Sequence, residues 1–362
     1  MKKMLALAAA LLMAVALHSQ EVKDVNFVYT EASDLTLIGK IIDTPNPYHR
    51  VDTVKYKGFT KGENTQVRCS SGIAVAFRTN SRIITVSTEY GFQDFAINTM
   101  PLAYRGYDLY YKDGGDWVWA GAAAPKFKAD QRAPVVVARY MDGSMKEFIM
   151  YLPIYSEEYS VKIGTEEGSV IEAIAPPFRH RVAIFGSSYT HGISCSRAGM
   201  TYPAQFTRHT GIQLLSLGCS GNCKMQPYFA DVLADVDADA FIFDAFSNPG
   251  AKMIEERLFP FIERLQDAHP GVPLIFQQTI YRESRNVNAR TDSTEQAKID
   301  MAEKMMKEAC RKYKDVYFVH PNASAAHESS VDGTHPDDYG YYLWARSIEK
   351  PVLRILRKYG IK

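Results

Sequence analysis

The second half of the chain is built around the stretch RVAIFGSSYTHG, residues 181–192. A run of apolar residues ends abruptly in a glycine and two serines, which predicts a buried strand that delivers a tight turn at the edge of a sheet. The hydroxyl of a serine on such a turn faces a crevice, where α/β sheets place their ligands. Serine is a weak nucleophile without a base, and the segment Asp332-Gly333-Thr334-His335 offers a histidine near the C-terminus.

Length and composition set the broad class. A chain of 362 residues is long for one domain, so two domains are expected. Its 46% hydrophobic and 23% charged residues are ordinary for a globular protein. The net charge is +1 and no basic stripe carries interleaved aromatic residues, which argues against a nucleic-acid partner. No run of about 18 apolar residues follows the N-terminal segment, so no membrane span is expected.

Residues 1–19 have the pattern of a secretory signal peptide. Met1-Lys2-Lys3 is a short basic segment, and the apolar run from Leu5 to Leu17 is too short to span a bilayer. Ser19 is small, as the last residue before a cleavage site should be. We therefore expect a soluble mature protein that is exported to the periplasm or the extracellular space.

The five cysteines match no known disulfide framework. Cys219 and Cys223 bracket a three-residue turn and are either bridged or buried as free thiols, and we favour the free thiols. Cys310 is expected in the core, on the apolar face of a helix. Because no CxxC pair and no HExxH helix occurs, neither a metal nor a cofactor is expected.

Residues 20–175 are predicted to form an all-β domain. Apolar residues alternate with small or polar ones, as in residues 73–77, and short strand-like runs follow one another with few helical stretches. Turn signals at 112–115 and 142–143 each separate two such runs, which predicts two hairpins. This pattern is typical of a β-sandwich or jelly roll.

The stiff, extended segment Ala175-Pro176-Pro177 marks the expected domain boundary. In residues 178–362 strand-like runs alternate with helical patterns, which implies a parallel sheet with helices on both faces. The strand-like runs are 181–186, 212–217, 240–245, 273–280 and 316–320. Right-handed crossovers then place the C-terminal ends of these strands at one edge of the sheet.

Four turns rich in small residues fall on that edge. They are Gly186-Ser187-Ser188, residues 218–222, residues 244–249 and residues 332–336. As a set they resemble, in order, the blocks of the SGNH hydrolases, also called GDSL-type esterases and lipases. The matching residues are Ser188, Gly221, Asn248, and Asp332 with His335 in an Asp-x-x-His block. Ser187 stands where the family usually has an aspartate.

The resemblance covers about residues 181–356, and a second motif extends it to the first half. Residues 106–110, Gly-Tyr-Asp-Leu-Tyr, resemble the Gly-x-Asp-Leu-Tyr signature of a β-rich N-terminal domain that accompanies a bacterial branch of this family. The resemblance implies a protein that is α/β plus all-β in class. A flavodoxin-like, three-layer α/β/α hydrolase domain would follow an N-terminal β-sandwich domain.

The chemistry of acyl transfer then gives each residue a role. Ser188 would attack an ester carbonyl, and His335 would accept its proton and return it to the leaving alcohol. Asp332 can reach the other imidazole nitrogen and fix the tautomer. The resemblance assigns the oxyanion hole to the backbone N–H groups of Ser188 and Gly221 and to the side-chain amide of Asn248. Taken singly, each of these residues also has a purely structural reading as a cap or turn residue.

Three further residues are candidates for substrate contact. His191 either touches substrate or only belongs to the first helical turn after Ser188. Arg197 and Arg282 lie on loops of the same edge and could hold a sugar hydroxyl or carboxylate, or could be surface charges. His320 is a weaker alternative base, since Asp332 pairs better with His335.

These observations predict an exported serine esterase that hydrolyses short acyl esters, acetyl esters above all, on a carbohydrate. Two alternatives stay open. One is a lipase, phospholipase or thioesterase of the same fold, because fold does not fix function. The other is a non-catalytic glycan-binding protein with a degenerate hydrolase domain.

Overall fold

A computed structural model describes residues 25–93, 96–126, 132–324 and 326–362. The predicted signal peptide, residues 1–19, lies outside the described residues. Within them the first half of the chain forms two antiparallel sheets and the second half one parallel sheet flanked by helices. The predicted combination of an all-β and an α/β unit is confirmed. No helix in these ranges is long and apolar enough to cross a membrane.

The strands of the first half form a four-stranded sheet against a larger one. They are β1 (Phe27–Glu31), β2 (Thr36–Ile38), β3 (Ala74–Thr79), β4 (Ile84–Gln93), β5 (Tyr107–Asp113), β6 (Asp116–Ala123), β7 (Val135–Ala138), β8 (Lys146–Tyr151), β9 (Ser156–Glu166) and β10 (Ile171–Ala173). The sheet orders are β1-β9-β4-β7 and β10-β3-β8-β5-β6, with β2 paired to β3. Apolar residues of both sheets, such as Phe77 and Ile163, meet in one buried cluster between them.

The two predicted hairpins have different outcomes. The one at 112–115 is confirmed, because β5 and β6 pair antiparallel with Asp113 opposite Asp116. The one at 142–143 is wrong, because β7 pairs with β4 in one sheet while β8 pairs with β3 and β5 in the other. Asp142 shapes a real turn there, since its Oδ1 accepts hydrogen bonds from Ser144 N at 2.9 Å and Ser144 Oγ at 2.7 Å. A turn signal is local and does not tell which sheet the next strand joins.

The second half is a five-stranded parallel sheet between two helical layers. Its strands are β11 (Arg179–Gly186), β12 (Ile212–Gly218), β13 (Ala240–Asp244), β14 (Leu274–Gln277) and β15 (Val316–Val319), in the order β12-β11-β13-β14-β15. The α-helices in the described residues are α1 (Lys61–Val67) and α2 (Pro101–Tyr104) in the first half, then α3 (Ser188–His191), α4 (Tyr202–Thr210), α5 (Pro227–Ala234), α6 (Ala251–Ala268), α7 (Ala289–Lys312) and α8 (Asp338–Arg357).

Alternate residues of β11 show why the sheet is covered on both faces. Val182 and Ile184 join the cluster that contains Trp344 of α8, whereas Ala183 and Phe185 join the cluster that contains Leu258 of α6. A strand buried on both faces reads as a continuous apolar run, which is what residues 182–185 show.

The cysteines follow the favoured alternative with one exception. All five are free, and Cys69, Cys195, Cys219 and Cys223 are buried. Cys310 is exposed, so its expected place in the core is wrong. The helix α7 buries the preceding Ala309, and one residue further along turns the side chain by about 100°, away from the sheet.

The two halves share a hydrophobic core across their contact. One buried cluster contains Tyr151 of the first half together with Ile184 and Trp344 of the second. Arg50 is fully buried at this contact, where its guanidinium donates to Gly218 O at 2.9 Å and to Cys69 O at 2.7 Å. The β-rich half is therefore packed directly against the ends of the parallel strands.

Candidate active site

The sharp turn after β11 depends on two glycines that lie next to each other on adjacent strands. Gly186 pairs with Gly218 at the ends of β11 and β12. A Cβ on Gly186 would collide with the Thr190 side chain, and a Cβ on Gly218 would collide with the backbone of His191. Glycine at both positions lets α3 sit directly on the strand ends. Ser188, the first residue of α3, thereby lies at the carboxyl edge of the sheet.

Asp244, the last residue of β13, holds this turn in place. Its Oδ2 accepts hydrogen bonds from Ser187 Oγ at 2.6 Å, from Ser187 N at 3.0 Å and from Thr190 Oγ1 at 3.2 Å. Ser247 Oγ donates to the other oxygen at 2.6 Å. Complete burial raises the pKa of Asp244, although these hydrogen bonds oppose the shift. Ser187 also accepts from Tyr189 N as the cap of α3, so it braces the turn.

Ser188, His335 and Asp332 form a continuous hydrogen-bonded chain. Ser188 Oγ lies 2.9 Å from His335 Nε2, and His335 Nδ1 lies 2.8 Å from Asp332 Oδ2. Partial burial alone would raise the pKa of Asp332. Hydrogen bonds from the His335 ring and from the backbone N–H groups of His335 and Thr334 outweigh that effect and hold this pKa well below its usual range. The ionised carboxylate places the imidazole proton on Nδ1 and leaves Nε2 to accept from the serine.

The imidazole is also held by packing. The Tyr189 ring lies edge-on to the His335 ring with centroids 5.5 Å apart. Tyr189 is fully buried and its hydroxyl accepts a hydrogen bond from Arg282 Nε at 2.9 Å. Tyr189, the residue after Ser188, therefore packs against the His335 ring and supports it.

An open cleft of about 690 Å³ exposes Ser188 and His335 to solvent. Ser188, Thr334 and His335 line one part of it, and Gly221 and Asn248 line another. A volume of this size is in the range of small-molecule sites in proteins. The cleft thus brings together residues of all four predicted turns.

Gly221 and Asn248 both line the cleft and carry hydrogen-bond donors. Gly221 has a φ of 70°, the left-handed region that favours glycine, and an added Cβ would meet no atom within 4 Å. The backbone angle, and not lack of space, therefore explains this glycine. Asn248 Oδ1 accepts from Cys223 N at 3.1 Å, which orients the amide and leaves its Nδ2 hydrogens for another acceptor.

Arg282 lies in the cleft wall, but its guanidinium is engaged by the protein. Besides Tyr189 it donates to Glu295 at 2.9 Å and to Ser247 O at 2.6 Å. Lys298 lies beside it, 2.6 Å from Glu295 and 3.1 Å from Ser247 O. Burial, followed by the Arg282 charge, lowers the pKa of Lys298 to about 8. Glu295 and Lys298 were missed by the sequence reasoning, because they are ordinary polar residues of a helical pattern.

His191 is a correction. It is fully buried, its ring stacks on Tyr155 with centroids 4.0 Å apart, and its Nε2 lies 2.6 Å from Ile154 O. Burial, assisted by the charge of Arg50, lowers its pKa well below the usual range, so the ring is neutral. His191 therefore joins the two halves of the chain, and the idea that it contacts substrate is wrong.

Arg197 is a second correction. Its guanidinium pairs with Asp108 at 2.8 Å and donates to Tyr110 at 2.5 Å, and it does not line the cleft. The fully buried Asp108 carboxylate also accepts from Gly199 N at 2.8 Å and from Trp119 Nε1 at 3.1 Å. The Asp and the second Tyr of the Gly-x-Asp-Leu-Tyr motif thus bind the loop that carries Arg197. The motif is a docking element between the two halves.

The described parts of the chain contain no group of three or more His, Cys, Asp or Glu side chains placed to hold a metal ion. The remaining alternative base, His320, lies on the surface, where it pairs with Glu303 at 2.7 Å.

Two family models match the chain. Residues 179–354 match the GDSL-like lipase/acylhydrolase family, and residues 25–171 match the GxDLY domain, described as the N-terminus of SGNH-hydrolase-type esterases. No match was found among curated proteins.

Solved structures of similar fold cover nearly the whole chain. A protein of Bacteroides ovatus described as a GDSL-like lipase is 34% identical, with a TM-score of 0.87 over 92% of this chain and 98% of that one. The salicylyl-acyltransferase SsfX3 of a tetracycline biosynthetic pathway is 20% identical, with a TM-score of 0.72 over 91% and 98%. A family two carbohydrate esterase of Cellvibrio japonicus is 11% identical, with a TM-score of 0.59 over 92% and 98%.

The similarities to SsfX3 and to the Cellvibrio japonicus esterase show a shared fold. The similarity to the Bacteroides ovatus protein, together with the two family matches, shows the family to which the chain belongs. This chain belongs to the GDSL-type, or SGNH, family of ester hydrolases, in the group whose hydrolase domain follows a GxDLY-type β domain.

Proposed function

We propose that this chain is an exported serine esterase that hydrolyses short acyl esters, acetyl esters above all, on a carbohydrate. The observation that carries the proposal is the chain of hydrogen bonds from Ser188 through His335 to Asp332, of which Ser188 and His335 line an open cleft. In this proposal residues 1–19 are a signal peptide, residues 20–175 form the β-sandwich domain and residues 178–362 form the hydrolase domain.

The reaction would proceed in two half-reactions. Ser188 Oγ bonds to the ester carbonyl carbon while His335 Nε2 takes the hydroxyl proton. The tetrahedral oxyanion is met by the N–H groups of Ser188 and Gly221 and by Asn248 Nδ2, each such donor being typically worth roughly 3–4 kcal/mol of barrier. Collapse breaks the bond to the alcohol, which leaves with the proton from His335. Water then attacks the acyl-serine, again through His335, and releases the acid.

The lining of the cleft favours a polar substrate over a long acyl chain. Ile193 is the only aliphatic side chain larger than proline among its lining residues in the described chain. The rest include hydroxyl, amide and charged groups such as Thr294, Asn248 and Lys224. A long acyl chain needs an extended apolar surface to stabilise it, whereas a short acyl group on a sugar presents mainly hydroxyls.

The first experiment is hydrolysis of nitrophenyl acetate, butyrate and octanoate by the mature protein and by its Ser188→Ala variant. We expect acetate to be turned over fastest and the variant to be inactive. Release of acetate from a panel of acetylated polysaccharides then identifies the carbohydrate.

Other outcomes point elsewhere. A rate that rises toward octanoate would favour the lipase or thioesterase alternative. Turnover that survives Ser188→Ala would exclude the proposed nucleophile. No turnover, together with no labelling of Ser188 by a fluorophosphonate, would favour a glycan-binding protein. Export is tested separately, since the mature protein isolated from its host should begin at Gln20.

A further inference from the structure

The β-rich half reaches into the proposed catalytic machinery through one side chain. Asn98 lies on the connection between β4 and α2, and its Nδ2 donates to Asp332 Oδ2 at 2.6 Å across 234 positions of the chain. This is the same carboxylate oxygen that faces His335 Nδ1 at 2.8 Å. Asp332 Oδ1 is occupied separately by the backbone N–H groups of Thr334 and His335.

Hydrogen bonds hold the connection that carries Asn98 in place. The next residue, Thr99, is buried, and its Oγ1 accepts from Ser194 N at 3.5 Å. Helix α2 begins two residues later at Pro101, and Met100 O accepts from Ala103 N at 2.9 Å. The backbone on the C-terminal side of Asn98 is therefore held by both halves of the chain.

We propose that Asn98 is a positioning residue for the Ser188–His335–Asp332 chain, supplied by the GxDLY-type domain to the hydrolase domain. The proposal rests on the proposed function of those three residues. Asn98 gives Asp332 Oδ2 its second hydrogen bond, and this bond fixes the direction in which the oxygen faces the imidazole. Without it, Oδ2 would be held by the imidazole alone, and the base would lose its fixed orientation toward Ser188.

The hydrogen bond from Asn98 also reduces the negative charge on Asp332 that attracts the protonated His335 ring. A neutral donor spreads the charge of the Asp332 carboxylate, so its removal strengthens the attraction between Asp332 and the protonated ring. The other titratable groups near the ring are Tyr189, which packs against it, and the four charged residues that line the cleft. These are Lys224, Arg282, Glu295 and Lys298. Within the described residues, the side-chain hydrogen bond of Asn98 goes to Asp332 and to none of these groups, so replacing Asn98 leaves their own hydrogen bonds in place.

Two substitutions separate positioning from mere packing. Asn98→Ala removes the donor, and Asn98→Asp keeps the shape of the side chain while it replaces the donor by a second negative charge. Ile97→Ala is the matched control, because the Ile97 side chain is fully exposed on the same connection. For each full-length variant, kcat and KM for nitrophenyl acetate are measured from acid to neutral pH at the isosbestic wavelength of nitrophenol, and thermal unfolding checks the fold.

We expect kcat/KM of Asn98→Ala to fall roughly 10-fold or more through kcat, as the loss of a hydrogen bond to a charged group predicts. The acid limb of the rate profile should move to higher pH in Asn98→Ala and further in Asn98→Asp, while Ile97→Ala matches the wild type. The inference is overturned if both Asn98 variants keep the wild-type acid limb, whether or not their rates fall, while Ser188→Ala is inactive. If Ser188→Ala is itself active, the proposed function fails, and the inference fails with it.

Discussion

Ser188 Oγ and His335 Nε2 are 2.9 Å apart although the two residues lie 147 positions apart in the chain. The parallel sheet produces this proximity, because Ser188 follows β11 directly and His335 lies on the segment between β15 and α8. Neighbouring residues hold the Ser188 and His335 side chains in this geometry. Asp244 holds the serine turn, and Asp332 with Tyr189 holds the ring.

His335→Ala should abolish nearly all esterase activity, because Ser188 then has no base. In serine hydrolases the loss of the base costs on the order of 10⁶ in kcat. His320→Ala is the matched control, since His320 also follows a strand of the same sheet but pairs with Glu303 on the surface. Steady-state kinetics with nitrophenyl acetate should show a near-inactive His335 variant and an unchanged His320 variant. Equal losses in both would contradict the assignment of the base.

Asp332→Asn should lose less activity than His335→Ala, about 10⁴-fold in kcat by analogy with other serine hydrolases. The asparagine keeps the shape of the side chain but offers no negative charge to the imidazolium, and its amide allows the wrong tautomer. The depressed pKa of Asp332 also has a consequence for stability. The carboxylate stabilises the folded state above the pKa of an unfolded aspartate, about 4, and this contribution is lost as the pH falls below that value.

The effect of Asp332 on stability is measured separately from its effect on activity. Acid unfolding of the wild type and of Asp332→Asn, followed by circular dichroism, should give a stability difference that shrinks below about pH 4. A difference that is constant between pH 3 and 7 would mean that the carboxylate is not stabilised by its neighbours in the folded state.

Ser187→Ala and Ser188→Ala should have opposite effects, although the two serines are adjacent. Ser187 donates to the buried Asp244 and caps α3, so its loss should destabilise the protein by about 1–3 kcal/mol while turnover persists below the unfolding temperature. Ser188→Ala should leave the melting temperature nearly unchanged and remove turnover. Differential scanning calorimetry and ester kinetics on both variants check this. If Ser187→Ala were the inactive and stable variant, the nucleophile would be Ser187.

The sequence predicted the parts of the site that depend on strand ends. Ser188, Gly221, Asn248 and His335 each lie in a turn at the carboxyl edge, and a parallel sheet brings such turns together whatever their separation in the chain.

What the sequence did not predict depends on contacts between the two halves. His191 is three residues from Ser188 but does not line the cleft, because its ring packs on Tyr155 and its Nε2 meets Ile154 O in the first half of the chain. Arg197 is paired with Asp108, and Asn98 reaches Asp332, through a packing that no local pattern encodes. Closeness in sequence to a nucleophile was therefore a poor guide to closeness in space.

Asp108→Ala should destabilise the protein without changing the chemistry of the cleft. Asp108 is a fully buried carboxylate that accepts four hydrogen bonds, two from Arg197 Nη1 and one each from Gly199 N and Trp119 Nε1. Its removal leaves the Arg197 guanidinium unpaired, and breaking a buried ion pair costs about 3–5 kcal/mol. Asp116→Ala, at the exposed hairpin end of β6, is the control. Urea unfolding should separate the two variants clearly, and equal midpoints would show that the motif does not dock the two halves.

Lys298 predicts a rise in stability at alkaline pH. Burial and the Arg282 charge lower its pKa to about 8 in the folded protein, whereas an unfolded lysine keeps its proton up to about 10.4. Between these values the unfolded state binds more protons than the folded state, so the free energy of unfolding rises with pH.

Lys298→Met removes this titration, and Lys304→Met, an exposed lysine of the same helix, is the control. Urea midpoints at pH 7, 8, 9 and 10 should therefore show the wild type and the Lys304 variant gaining stability relative to the Lys298 variant above pH 8. The slope is the informative quantity, because Lys298→Met also removes one of the two cations that pair with Glu295 in the described part of the chain and so shifts the midpoint at every pH. Parallel curves for all three proteins would show that Lys298 keeps its proton in the folded state. The contacts of Lys298 with Glu295 and Ser247 would then outweigh the effect of burial on its pKa.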